Sequence, residues 1–154
     1  MANAGDHVPN DFTPVVGAMN LADYVLLITD NLKKFPDFSV KEKKNEDGTV
    51  TQLYVFREDS LTNIVRAEAR QIFHLTYTAN EINLKRQPWR KEERLRKQAQ
   101  AISLCGDLLA DIQLCRKHFH LSKGRVKYWG KMTRDLRTAI EGWHEKDKDR
   151  YKDI

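Results

Sequence analysis

Apolar residues fall three or four positions apart in four separate stretches of this chain, and one intervening stretch, residues 37–56, breaks that period. A period near 3.6 commits each stretch to a helix with a face to bury, and four helices joined by short turns bury those faces against one another. The first runs from Val15 to Leu32, with Val15, Ala18, Met19, Ala22, Val25, Leu26 and Leu32 as its stripe; Leu21, Tyr24 and Ile28 widen it. Asp11 or Thr13 is placed to cap it, Pro14 suits its first turn, and Phe35-Pro36 ends it. The second begins near Arg57 to Ser60 and carries Leu61, Ile64, Val65, Ala69, Ile72, Leu75, Ala79 and Ile82 before Gln87-Pro88 stops it. Trp89 to Lys117 makes the third, basic in its first turns and apolar around most of its circumference afterwards. Ser122 caps the fourth, in which Val126, Trp129, Met132, Leu136, Ile140 and Trp143 form one seam.

Between Asp37 and Phe56 the period changes to two. Two β-prone runs flank Asn45-Glu46-Asp47-Gly48, and Asp-Gly favours a tight reversal, so this segment reads as a β-hairpin. Lys41, Lys43 and Lys44 read first as a charged edge that discourages sheet-to-sheet pairing. The expected fold is therefore all-α: an up-down-up-down four-helix bundle with a β-hairpin inserted between helices 1 and 2. Residues 1–154 form one domain, with a flexible N terminus at 1–13, the hairpin insertion at 37–56 and a polar, frayed C-terminal tail at 145–154.

Charge is unevenly spread over this framework. Lys85 to Arg137 holds fifteen Lys and Arg against five Asp and Glu, whereas the rest of the chain holds twelve against seventeen. Cations gathered on two consecutive helices suit a polyanion, because they gain affinity by releasing counterions from phosphates and need no base reading. Arg90, Arg94, Lys97, Lys123, Lys127, Lys131 and Arg134 recur at three- and four-residue steps, with Arg137 at one margin; these are the candidate nucleic-acid contacts. Tyr128 is the one aromatic placed to stack beside them, which favours backbone or duplex binding over readout of single-stranded bases.

Catalytic patterns do not emerge. The chain has no glycine-rich phosphate loop, no paired-cysteine motif, no His-Glu-x-x-His and no Gly-x-Ser-x-Gly, so neither an enzyme nor a cofactor is expected. Cys105 and Cys115 lie on one helix about 15 Å apart along its axis, too far for a disulfide, and read as buried thiols. His74, and His118 with His120, lack the companions of a metal site, and Asp107 with Asp111 reads as an acidic stripe paired with basic neighbours in the bundle or between subunits. No apolar run spans a bilayer and the first residues are unlike a secretory leader, so a cytoplasmic protein with no membrane partner is expected.

The order of segments resembles the small four-helix-bundle accessory variability determinants of diversity-generating retroelements. The likeness is carried by Leu32-Lys33-Lys34-Phe35-Pro36, by Ala79-Asn80, by the Leu-rich third helix followed by Leu121-Ser122, and by Ile140-Glu141-Gly142-Trp143. It covers most of residues 20–145. It implies a basic homopentamer, itself non-catalytic, that binds a reverse transcriptase and its template RNA or RNA–DNA hybrid and supports adenine-directed mutagenic cDNA synthesis. The family tends to carry Arg in the middle of the third helix, where this chain has Asp107, Leu109, Asp111 and Gln113. Two alternatives stand beside this reading: a scaffold whose basic face docks an acidic protein, and an RNA-binding bundle similar to those encoded in intervening sequences of bacterial ribosomal RNA.

Overall fold

The computed structural model describes residues 12–154. Within them four helices and one antiparallel hairpin follow in the order α1 (Thr13–Thr29), β1 (Phe38–Lys44), β2 (Val50–Phe56), α2 (Leu61–Glu81), α3 (Lys91–Phe119) and α4 (Lys123–Arg150). A short 3-10 turn, Pro88–Arg90, leads into α3. The expected flexible segment, 1–13, lies outside the described residues except for Phe12 and Thr13, which begin α1; the Asp11 cap lies outside them too.

Local chemistry sets the helix starts. Ser60 and Ser122 keep extended backbones, and each side-chain hydroxyl accepts from the amide three residues on, Asn63 and Arg125, at 3.2 Å. Such caps stabilise a helix by about 1 kcal/mol each. Phe12 occupies the corresponding position of α1 without a side-chain cap, and Thr13 opens the helix instead of capping it. α1 stops at Thr29, short of Leu32. The Thr29 hydroxyl turns back to the Val25 carbonyl at 2.7 Å and accepts from Arg66 Nε of α2 at 2.7 Å. α3 ends at His120, which adopts a left-handed backbone with φ 54°.

Each helix packs against the next in sequence, and α4 packs back on α1. The interior runs through Leu21, Val25, Val65, Ile72, Leu108, Ile112, Trp129 and Ile140, all fully buried. The α4 seam is buried as its spacing requires, with Met132 only partly covered. α1 differs from its expected stripe. Val15, Ala18, Leu21, Val25 and Ile28 point inward, while Met19 and Leu26 are left 38% and 52% exposed. Because α1 is apolar on nearly all sides, its sequence period alone does not choose the buried face.

The hairpin pairs Phe38 with Phe56 through Lys44 with Val50. Asn45 and Thr49 close the loop, and Gly48 takes φ 88°, which a side chain would strain. At its root, Asp37 accepts from the Thr62 amide and hydroxyl, and Asn63 Nδ2 donates to the Phe56 and Arg57 carbonyls.

The C-terminal tail is a second correction. α4 continues without interruption to Arg150, and Asp147, expected in a frayed end, is 1% exposed. A charged partner from α3 reaches it there, and burying that pair requires the last turns to remain helical.

Candidate nucleic-acid interface

The candidate cations divide between the two ends of the helix pair. α3 has 29 residues and is about 43 Å long, so Arg90, Arg94 and Lys97 at its start lie far from the α3–α4 turn, where Lys123 begins the next helix. They sit beside the end of α4 instead, as the Arg94–Asp147 contact requires.

Arg94 is removed from the interface altogether. It is 8% exposed; its Nε donates to Asp147 Oδ2 at 2.7 Å and its Nη1 to the Ile82 carbonyl at 2.8 Å, while the guanidinium lies near the Trp143 ring. Gln98 Nε2 also donates to Asp147 Oδ2, at 2.6 Å, so Gln98 Oε1 is left to face His144 Nδ1 at 2.9 Å and accept its proton. Burial, and then the nearby Lys148, push the His144 pKa down. This assembly joins α3 to α4 and holds no charge out to solvent. The sequence placed Arg94 on a basic face because Asp147, its neutralising partner, is fifty-three residues away.

Arg90 and Lys97 share one carboxylate. Glu93 lies 2.6 Å from Arg90 and 3.4 Å from Lys97, and the Arg90 guanidinium holds its carboxyl down to about 2. Two of the expected contacts thus present about one net charge.

The α4 stripe keeps its cations. Lys123, Lys127, Lys131 and Arg134 are all exposed, and their four- and three-residue spacing sets them along one side of the helix. Lys131 meets Asp135 at 2.7 Å, but both side chains are about two-thirds exposed. Such a pair stabilises by only about 0–1 kcal/mol, so a phosphate competes for Lys131. Arg134 folds back over Gly130: a Cβ there would approach the guanidinium to 3.1 Å, which makes Gly130 part of how this arginine lies along the helix. Arg137 is half-buried, and its charge acts on the buried Cys105 thiol.

Several residues join this end that spacing did not single out. Arg116, Lys117 and Arg125 are exposed, and from Ile112 to Arg134 the chain has seven Lys and Arg and no Asp or Glu. The Arg125 guanidinium lies close enough to Tyr24 of α1 to act on its hydroxyl, and the Tyr24 ring meets Tyr128 at 5.2 Å. Burial nevertheless raises the Tyr24 pKa, the guanidinium opposing it. Tyr24, Leu27, Asn31, Arg125 and Tyr128 border a groove of about 540 Å³ between α1 and α4. The acid-free run was visible in the sequence; the part of Tyr24 was not, since it comes from a helix a hundred residues away.

Within the bundle, Asp107 and Asp111 face an acid, Glu68 of α2, where a basic neighbour was one of the partners expected for them. Burial, followed by the Asp111 carboxylate as acceptor for the Glu68 proton and by its negative charge, pushes the Glu68 carboxyl up to about 8. Glu68 Oε1 is buried without a hydrogen-bond partner. Among the described residues, no three His, Cys, Asp or Glu converge to hold a metal ion. Both cysteines are buried and free, and burial pushes their thiols up to about 12. No helix among the described residues is long and apolar enough to cross a membrane.

Comparison of the chain with family models, with curated proteins and with solved structures finds no match.

Proposed function

We propose that this chain is a non-catalytic, cytoplasmic RNA-binding accessory protein of the accessory variability determinant type, working with a reverse transcriptase on template RNA or an RNA–DNA hybrid. The observation that carries the reading is the acid-free run from Ile112 to Arg134, whose exposed cations Arg116, Lys117, Lys123, Arg125, Lys127, Lys131 and Arg134 gather around the α3–α4 turn and along α4. Exposed cations, Lys131 with its weak Asp135 pair included, neutralise phosphates and release their counterions, a sequence-blind attraction. The Tyr24–Tyr128 pair beside Arg125 adds a surface on which a base can stack. In this proposal the four helices alternate in direction around an up-down-up-down bundle, which the pairing of the start of α3 with the end of α4 supports. The chain assembles with its own copies, a pentamer by resemblance, through the exposed Leu26 and Leu27 of α1.

The test is the triple variant Lys123→Glu, Lys127→Glu, Arg134→Glu, in which no core residue changes. Titration against an RNA hairpin and an RNA–DNA hybrid at several salt concentrations should show weaker binding, with the slope of log affinity against log salt reduced by about 2 to 3. Binding that is unchanged and insensitive to salt removes the proposal. A second reading, a scaffold that docks an acidic protein, is favoured by Leu27, 72% exposed beside the Arg125 groove. A scaffold leaves both nucleic acids unshifted at moderate salt.

A further inference from the structure

The hairpin projects from the bundle. Its root is held by Asp37, Asn63 and the Arg66 guanidinium over the Phe56 ring, but Ser39 to Lys44 and Val50 to Val55 are exposed throughout. A two-stranded hairpin with solvent on both faces is marginal in water. Val40, Val50, Leu53, Tyr54 and Val55 are all exposed apolar or aromatic side chains on it.

Its two edges are chemically unlike. β1 carries Lys41, Glu42, Lys43 and Lys44, a charged edge of the kind that repels another strand. From Val50 to Phe56 the other strand has no charged residue, and five of its seven residues are β-branched or aromatic. That composition favours strand pairing, and the sheet leaves the outer edge of β2 without a neighbour among the described residues.

We propose that β2 pairs with β2 of a second copy of this chain, antiparallel about a two-fold axis at Leu53, to give a four-stranded sheet in the order β1-β2-β2-β1. In that register Leu53 faces Leu53 of the other copy, Thr51 faces Val55, Gln52 faces Tyr54 and Val50 faces Phe56. Opposed side chains share a face, as pleating requires, and no pair brings charges together. The occupant is a second copy because the strand is complementary to itself under that symmetry, with like meeting like only at an apolar residue. The same axis places the lysines of β1 at the two outer edges, where they stop further growth. Phe38 already meets Tyr54 and Phe56 edge to face, at 5.2 and 6.0 Å between ring centres, so one face of the joined sheet is ordered before pairing. The contact uses neither the α4 cations nor the outer face of α1, and does not depend on nucleic-acid binding.

The full chain carrying Leu53→Cys, mildly oxidised, should run as a covalent dimer on a non-reducing gel, while Lys41→Cys, on the charged edge, stays monomeric. The native cysteines are buried and do not compete. Leu53→Lys sets two ammonium groups opposite each other and should halve the mass measured by light scattering, with the helical circular dichroism unchanged. No disulfide from Leu53→Cys, or a mass that Leu53→Lys leaves unaltered, overturns the proposal; the latter result is what an unrelated partner on this edge predicts.

Discussion

Glu68 shows how one side chain carries the electrostatics of a contact its own helix does not display. Half-buried on α2 and set against Asp111 and Asp107, it keeps its proton up to about pH 8. Its folded pKa lies above the unfolded value, so the stability this protonation contributes is complete below about pH 4.5 and is lost as pH rises through about 8. Glu68→Gln should therefore match the wild type in thermal denaturation at pH 5 and exceed it at pH 9, by roughly 5 °C; parallel curves at both pH values would contradict the assignment. Asp107 and Asp111 were legible as an acidic pair on one helical face. That a third carboxyl meets them was not, because helical spacing orders residues along α3 and says nothing about what α2 presents to it. Arg94 makes the same point with opposite sign: its position in a basic run was plain, and its removal from solvent by Asp147 was not.

At the scale of elements, α4 and α1 mark the two extremes of what patterning carries. α4 has one apolar seam and a strongly basic outer side, so its buried face follows from its spacing, and Ser122 marks its start by side-chain capping. Its end is less legible. Residues after His144 alternate in charge without an apolar anchor, yet the buried Asp147 holds the helix to Arg150. Truncation after His144 should leave Arg94 buried without its carboxylate and cost about 3–5 kcal/mol, measured as a lower denaturant midpoint; a truncated chain of wild-type stability would show the last turns to be dispensable. In α1 the opposite holds: apolar residues surround the helix, and Leu21, Val25 and Ile28 go inward at the expense of Met19 and Leu26. The hairpin was legible in position and turn, since a change of period and an Asp-Gly pair are local signals, whereas its exposure on both faces depends on where the bundle lies.

Across the whole molecule, α1 leaves Met19, Leu26 and Leu27 exposed, three apolar side chains on one helix, with the charged Asp23 between Met19 and the two leucines. If copies associate there, Leu26→Lys with Leu27→Lys lowers the mass seen by light scattering at micromolar concentration and leaves helical content intact; an unchanged mass assigns the patch another role. The charge asymmetry also belongs to this scale. Sequence concentrates cations between Lys85 and Arg137, and the fold divides the candidate contacts among them: Arg90, Arg94 and Lys97 are taken up by Glu93 and Asp147, while Arg116 to Arg134, near the α3–α4 turn and along α4, stay open to solvent. Periodicity, caps and turn residues by themselves determined the four helices and the hairpin of residues 12–154, because those signals act within a few residues of chain. Which cations face a partner, which acids face one another and which side of α1 is buried were decided by the tertiary structure, because charge compensation and burial depend on neighbours that are distant along the chain and adjacent only once the helices have packed.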